Sequence, residues 1–496
     1  MPIPLVFLAL ARQEIPLETI RQTAARAIGS ESAPRSRRFE GIAEKYALWQ
    51  AFAMDGGERF RYRMAVSGIL PDTVGYDGET VWANGFAGVP HALTGSGRDL
   101  SRIAAYVIDG DWAAKDAPLR FKRLPDEPDA IPLEVRCGDG DTPAVLRLDP
   151  ATFLPVRLSY WGASGTDEWT FAAYKGLAGL TVPTRIEHKG GDENEKIVVQ
   201  TAREAPGRTS FAMPPIEEGM AGFDRSAPSE IEVKRVRGYL FVRPKLDGVE
   251  EGWFFFDTGA EVMVLDPEIA RKHGAPSIGG ESASGAVATT DLKICQGVSF
   301  QLGPVTLHRP TYFLLDLSGI GKALGVPVVG ICGYDFISRA AFDIDPSRDR
   351  IAVYPPGAAP LPKGARWTPF RFDGNIPSLR CGFEGDRSGL FHLDTGSGSA
   401  VDLCSPTVAK YDLLKDREAR KSLTGGAGGT AESREGTLDG FEFAGKRFDK
   451  LPAGFQITQK GSFASPFYDG NIGMGLMGRS RIVFDYRRSR LAVVSP

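Results

Sequence analysis

Two short motifs carry the chemistry that this sequence could do. Asp257-Thr258-Gly259-Ala260 and Asp394-Thr395-Gly396-Ser397 each follow an apolar run, Trp253 to Phe256 in one case and Leu390 to Leu393 in the other. A lone ionised carboxylate at the end of such a strand is costly to bury. One Asp-Thr-Gly on its own reads as a turn, in which Asp accepts backbone N–H bonds and Gly takes a positive φ. Two copies in matched surroundings read differently. Brought face to face, two carboxyl groups cannot both ionise cheaply, so they share one proton. The ionised member can take a proton from a water as that water attacks a carbonyl carbon. The protonated member hydrogen-bonds the carbonyl oxygen as charge develops there. Such a pair titrates as a unit.

The elements that must position these motifs are themselves repeated. When Gly330 is laid on Gly470, the run to Pro356 covers the run to Pro496 without a gap. Gly333 then falls on Gly473, Arg339 on Arg479, Asp345 on Asp485 and Val353 on Val493. Asp257-Thr258-Gly259 falls on Asp394-Thr395-Gly396 after a small length change. In each copy an apolar stretch follows the motif, then a short helical piece (Pro267 to His273, Pro406 to Leu414). A Gly/Ser/Thr-rich hairpin comes next, Gly279 to Thr290 and Thr424 to Thr430. Repeated halves can pack about a pseudo-twofold axis, like a symmetric dimer fused into one chain. The two aspartates would then meet at that axis.

The chain has 496 residues, enough for more than one domain. Net charge is −3 with both signs interspersed, which gives no case for nucleic acid as partner. Fifty-nine glycines and 35 prolines favour a turn-rich, mainly β architecture. Five isolated cysteines and five scattered histidines argue against a metal site, and no cofactor is expected. Gly425 to Gly429 lacks the Gly-Lys-Ser/Thr ending of a phosphate loop. Pro4 to Ala11 is an apolar run ending in a small-x-small pattern, Ala9-Leu10-Ala11, but it lacks a basic leader. Residues 1–11 are read as the remnant of an export signal, which predicts a periplasmic or extracellular protein.

Residues 229–496 resemble two tandem retropepsin-like aspartic protease units of the kind found in bacterial aspartyl protease family proteins. The carriers are the two Asp-Thr-Gly motifs, Val328-Val329-Gly330-Ile331-Cys332-Gly333 and Asp469-Gly470-Asn471-Ile472-Gly473. The latter two look like the apolar-apolar-Gly element that backs the catalytic loop in that family. Asn471 departs from the aliphatic residue usual there. The resemblance implies that Asp257 and Asp394 are catalytic and that Thr258 and Thr395 bond across the axis. It implies that Gly259 and Gly396 let backbone N–H groups approach the carboxylates, and that hairpins near Gly285 and Gly428 act as flaps over an extended peptide. Ser397 would donate to the outer oxygen of Asp394, while Ala260 offers Asp257 nothing similar. Asp257 is therefore expected to hold the shared proton.

Residues 12–213 read as a β domain with an N-terminal helix, Leu17 to Ile28. From about residue 38 to 213 it resembles the curved antiparallel half-barrel of LolA/LolB-like lipoprotein carriers, through Tyr76 to Trp82, Leu148-Asp149-Pro150 and Gly179 to Pro183. The expected order is this domain, a linker at 214–228, protease-like half one at 229–356, a linker at 357–365 and half two at 366–496. The expected activity is aspartic endopeptidase action by a monomer on extended or unfolded peptide. Two alternatives stay open: a non-enzymatic envelope protein that binds lipid, lipoprotein or peptide, and halves that pair with another chain.

Overall fold

The computed structural model describes residues 15–33, 36–44, 48–54, 59–66, 70–161, 166–190, 193–204, 210–426 and 429–494. The export-signal reading at 1–11 and the flap residue Gly428 lie outside them.

The architecture is mainly β. The N-terminal part is one antiparallel sheet of 13 strands among the described residues, in which most strands pair with their sequence neighbours. Arg37–Ala43 pairs with Glu193–Glu204, from the far end of the chain segment, and so joins the two runs of neighbouring strands into one sheet. The alternating run Pro143–Leu148 buries Ala144, Leu146 and Leu148, as its period of two requires. Helix Leu17–Ile28 buries Ile20, Ala24, Ala25 and Ile28 and stops at Gly29, whose φ of 81° suits a left-handed cap. That face and the buried side of helix Gly95–Asp109 share one core with the sheet.

The remaining chain holds two units of matching topology. In half one, strand Trp253–Phe256 pairs in parallel with Val328–Cys332, which pairs antiparallel with Met263–Leu265. In half two, Arg387–Leu393 pairs in parallel with Gly470–Ile472, which pairs antiparallel with Val401–Leu403. The halves join where Ala341–Asp345 pairs with Arg481–Asp485 in the register Phe342↔Phe484, Asp343↔Val483, Ile344↔Ile482. The repeat alignment lays Asp343 on Val483. Each strand thus pairs with its own copy about that point, as a local twofold axis demands. One buried core contains Phe254, Phe256 and Phe342 together with Phe391, Leu393 and Ile472. The halves are therefore two sides of one body.

Part of the stretch read as a linker is structural. Ala221–Phe223 pairs with Val305–Leu307 as the edge of a five-stranded sheet of half one. Its Pro, Gly and charged residues hid a short edge strand, which needs few apolar side chains. The N-terminal domain also docks firmly. Phe86 packs edge-on against Phe313 at 5.9 Å between ring centres. Arg339 donates to the Ala87 carbonyl, and the Tyr334 hydroxyl to that of Val89. His91 packs on both Tyr334 and Phe372. The segment thus lies across half one and half two together.

Candidate active site

Each aspartate sits where an apolar strand ends and a Thr-Gly turn begins. Asp257 N–H donates to the Cys332 carbonyl at 3.0 Å, and Asp394 N–H to the Ile472 carbonyl at 2.9 Å. The same backbone bond thus anchors both motifs to the same element of each half. The threonines then cross the axis. Thr258 N–H donates to Thr395 Oγ1 at 2.9 Å, and Thr395 N–H to Thr258 Oγ1 at 3.0 Å. Each hydroxyl passes its own proton on: Thr258 Oγ1 to the Leu393 carbonyl at 2.6 Å, Thr395 Oγ1 to the Phe256 carbonyl at 2.7 Å. Both threonines are buried. Buried backbone groups of one half are therefore satisfied only by the other.

The glycines make room for the opposite carboxyl group. A Cβ on Gly259 would stand 2.6 Å from Asp394 Cγ, and one on Gly396 would stand 2.3 Å from Asp257 Cγ. Each aspartate lies over the glycine of its partner motif. Gly259 N–H also donates to Asp257 Oδ1 at 2.8 Å. The two carboxyl groups are close enough to shift each other's titration, and acids that close share one proton. Burial pushes both above the usual carboxylate range. Asp394 is pushed well above it, by burial first and then by the charge of Asp257.

The donor that the sequence reading aimed at Asp394 is not the one that the structure sets there. Ser397 Oγ faces Asp402 Oδ2, at 3.5 Å, and makes no hydrogen bond to the carboxyl group of Asp394 among the described residues. The donor at Asp394 is Asn471, whose Nδ2 lies 3.0 Å from Oδ2. One proton serves the pair, which titrates as a unit. Ala260 donates its N–H to the Asp257 carbonyl and gives its own carbonyl to Tyr334 N–H. It is part of the turn, and its backbone N–H favours the ionised form of Asp257.

Gly285 lies at the tip of the hairpin formed by Ser277–Ser284 and Thr289–Cys295. Its carbonyl accepts from Ser462 N–H at 3.0 Å, and Ala286's from Phe463 N–H at 3.2 Å, so this tip rests on half two. The second hairpin, Arg420–Gly426 with Gly429–Phe443, is longer than expected. Its exposed Leu423 is the most open large apolar side chain among the described residues.

Three residues near Asp394 escaped the sequence reading. Asp402 is buried and pairs directly opposite Asn471. Gln456 Nε2 donates to Asp402 Oδ1 at 3.2 Å and to Thr424 Oγ1 at 2.9 Å. His392 Nε2 lies 2.9 Å from Asp373 Oδ2. The signal available was the repeat itself, which sets Asn471 against Ile331 and His392 against Phe255. Among the described residues no three His, Cys, Asp or Glu side chains gather as a metal-binding group.

Residues 242–336 match the aspartyl protease family. That span runs from the strand before the first Asp-Thr-Gly to the Gly-Tyr-Asp-Phe after its backing element. The match supports an aspartyl protease at the level of the family. No curated protein matches the chain. Among solved structures, soybean basic 7S globulin is 11% identical over 54% of this chain and 95% of its own, with a TM-score of 0.34. A LolA superfamily protein from Nitrosomonas europaea is 15% identical over 39% of this chain and 95% of its own, with a TM-score of 0.28.

Proposed function

We propose that the chain is an aspartic endopeptidase whose single active site is assembled from both halves. Asp257, the ionised member, takes a proton from a water held between the carboxyl groups as that water attacks a peptide carbonyl carbon. Asp394 hydrogen-bonds the carbonyl oxygen with the shared proton and stabilises the charge that develops there. Collapse of the tetrahedral intermediate breaks the C–N bond, and a carboxyl group returns a proton to the leaving amine. The substrate is an extended or unfolded peptide lying under the two hairpins, paired through its main chain. The protein acts as a monomer in an exported location.

The observation that carries this reading is the reciprocal fit of the two motifs, each glycine under the other half's carboxyl group and each threonine bonded across. A turn motif without chemistry has no need to seat a second buried acid. The test is peptide turnover by the full chain and by Asp257→Asn and Asp394→Asn, followed across acid to neutral pH. Each variant should lose about 10²–10⁴-fold in kcat. Activity should fall as pH rises through the range where Asp394 gives up its proton, above the usual carboxylate range. Full activity in either variant would refute the reading.

A further inference from the structure

In each half, neighbouring strands set one row of side chains beside the aspartate. In half one Phe241 pairs with Phe255, Phe255 stands in register with Ile331, Ile331 with Val264, and Val264 with Phe313. These five side chains form or pack on a single apolar cluster. In half two the same register runs Ser378, His392, Asn471, Asp402 and Gly454. No apolar side chain of the first row has an apolar counterpart in the second. Both rows border the dyad. Phe255 and His392 stand two residues before their aspartates, on the strand face that leads to them. Asn471 touches Asp394 directly.

The second row offers acceptors. Asn471 is 9% exposed, and its Oδ1 has no hydrogen-bond partner in the structure. Gln456 is fully buried, and its Oε1 has none either. Buried carbonyl oxygens are normally satisfied, so two orphans beside one carboxyl group point to an absent donor. Asp402 adds a carboxyl group between them, and Asp373 adds another behind His392. The imidazole in the row, His392, is already engaged with Asp373 at 2.9 Å. A side chain carrying several N–H donors and positive charge satisfies this set; an aliphatic one leaves it unpaired.

We propose that half two's side of the cleft is a subsite for a basic side chain, Lys or Arg, next to the scissile bond, with an aromatic or aliphatic residue across the bond on half one's side. This names the substrate class of the proposed peptidase and rests on that reading.

The test uses the full chain and two peptides made uncleavable by a reduced bond. Both carry Phe on one side of that bond and either Lys or norleucine on the other; each is also made in reverse order. The Lys peptide should bind about tenfold tighter than the norleucine peptide in one of the two orders, as expected for hydrogen bonds from a charged donor. Asn471→Ile with Asp402→Val, which installs the residues of half one, should abolish that preference. Equal binding, tighter norleucine binding, or binding of neither peptide by the native chain would overturn the proposal, even if the variant does not fold. Turnover of an ordinary Phe–Lys peptide is read separately. A Lys preference in binding without turnover supports the subsite and refutes the peptidase; turnover without the preference does the reverse.

Discussion

Half one sets Phe255, Ile331 and Val264 in a row beside Asp257, and half two sets His392, Asn471 and Asp402 in the same row beside Asp394. The backbone register is identical, yet the chemistry differs at each position. Other positions do not differ at all. Gly330 and Gly470 match because a Cβ would strike the Phe254 ring at 2.1 Å in one case and the Asp402 carbonyl at 2.0 Å in the other. Gly333 and Gly473 match because a Cβ would meet the carbonyls of Val262 and Ser399 at 2.1 and 2.4 Å. Sameness between the halves thus marks places where packing leaves no room. Difference falls in the row of side chains beside each aspartate, where packing admits more than one residue type.

The glycines under the carboxyl groups give the sharpest way to break this comparison. Gly396→Ala would push on Asp257 and Gly259→Ala on Asp394. An aspartate side chain is short and both are tied by backbone bonds, so neither can swing clear. Each variant should lose about 10²-fold or more in kcat, the cost of displacing a reacting group by roughly an ångström. Circular dichroism should show the fold retained. If Gly259→Ala is harmful and Gly396→Ala is not, the two sides of the dyad are not equivalent and the reciprocal fit fails.

The crossed threonines test the same symmetry through stability. Thr258→Val removes the acceptor of Thr395 N–H and the donor to the Leu393 carbonyl; Thr395→Val does the same to Thr258 and Phe256. Each orphaned buried group costs about 1–3 kcal/mol. Denaturant melts should show similar losses for the two Val variants, while Thr→Ser at either position keeps the hydroxyl and most of the stability. Unequal losses would locate the junction closer to one half.

The sequence made the dyad legible because a repeated motif in repeated surroundings has few other physical causes. The repeat made the pairing of two like halves legible, while their fold was expected through the family resemblance alone. What the sequence hid were contacts that depend on which side chains converge. Ser397 follows the motif directly, so local reasoning aimed it at Asp394, but the turn swings its hydroxyl toward Asp402. Asn471 lies far along the chain and reaches Asp394 only because the parallel pairing of Gly470–Ile472 brings it there. Asp402 lay in an apolar run, Val401–Leu403, as a single charge with no partner nearby in sequence. The strand at Ala221–Phe223 was invisible for a related reason, since three residues carry no period.

Asp402 also makes the smallest and most specific prediction. Val264, its counterpart, carries no charge, so half two holds at this position an acid that half one lacks. Burial raises the Asp402 carboxyl, and once ionised its charge adds to the forces that hold the proton on Asp394. Asp402→Asn keeps the size and an acceptor for Gln456 but removes the charge. Without it Asp394 releases the shared proton at lower pH, so the alkaline limb of the pH–activity profile should move downward. Asp402→Val should move the limb in the same direction, with an added loss of stability because Gln456 Nε2 loses a partner. A limb that moves only in the Val variant would trace the effect to packing, and one that moves upward in both would mean that Asp402 acts on the dyad as a donor.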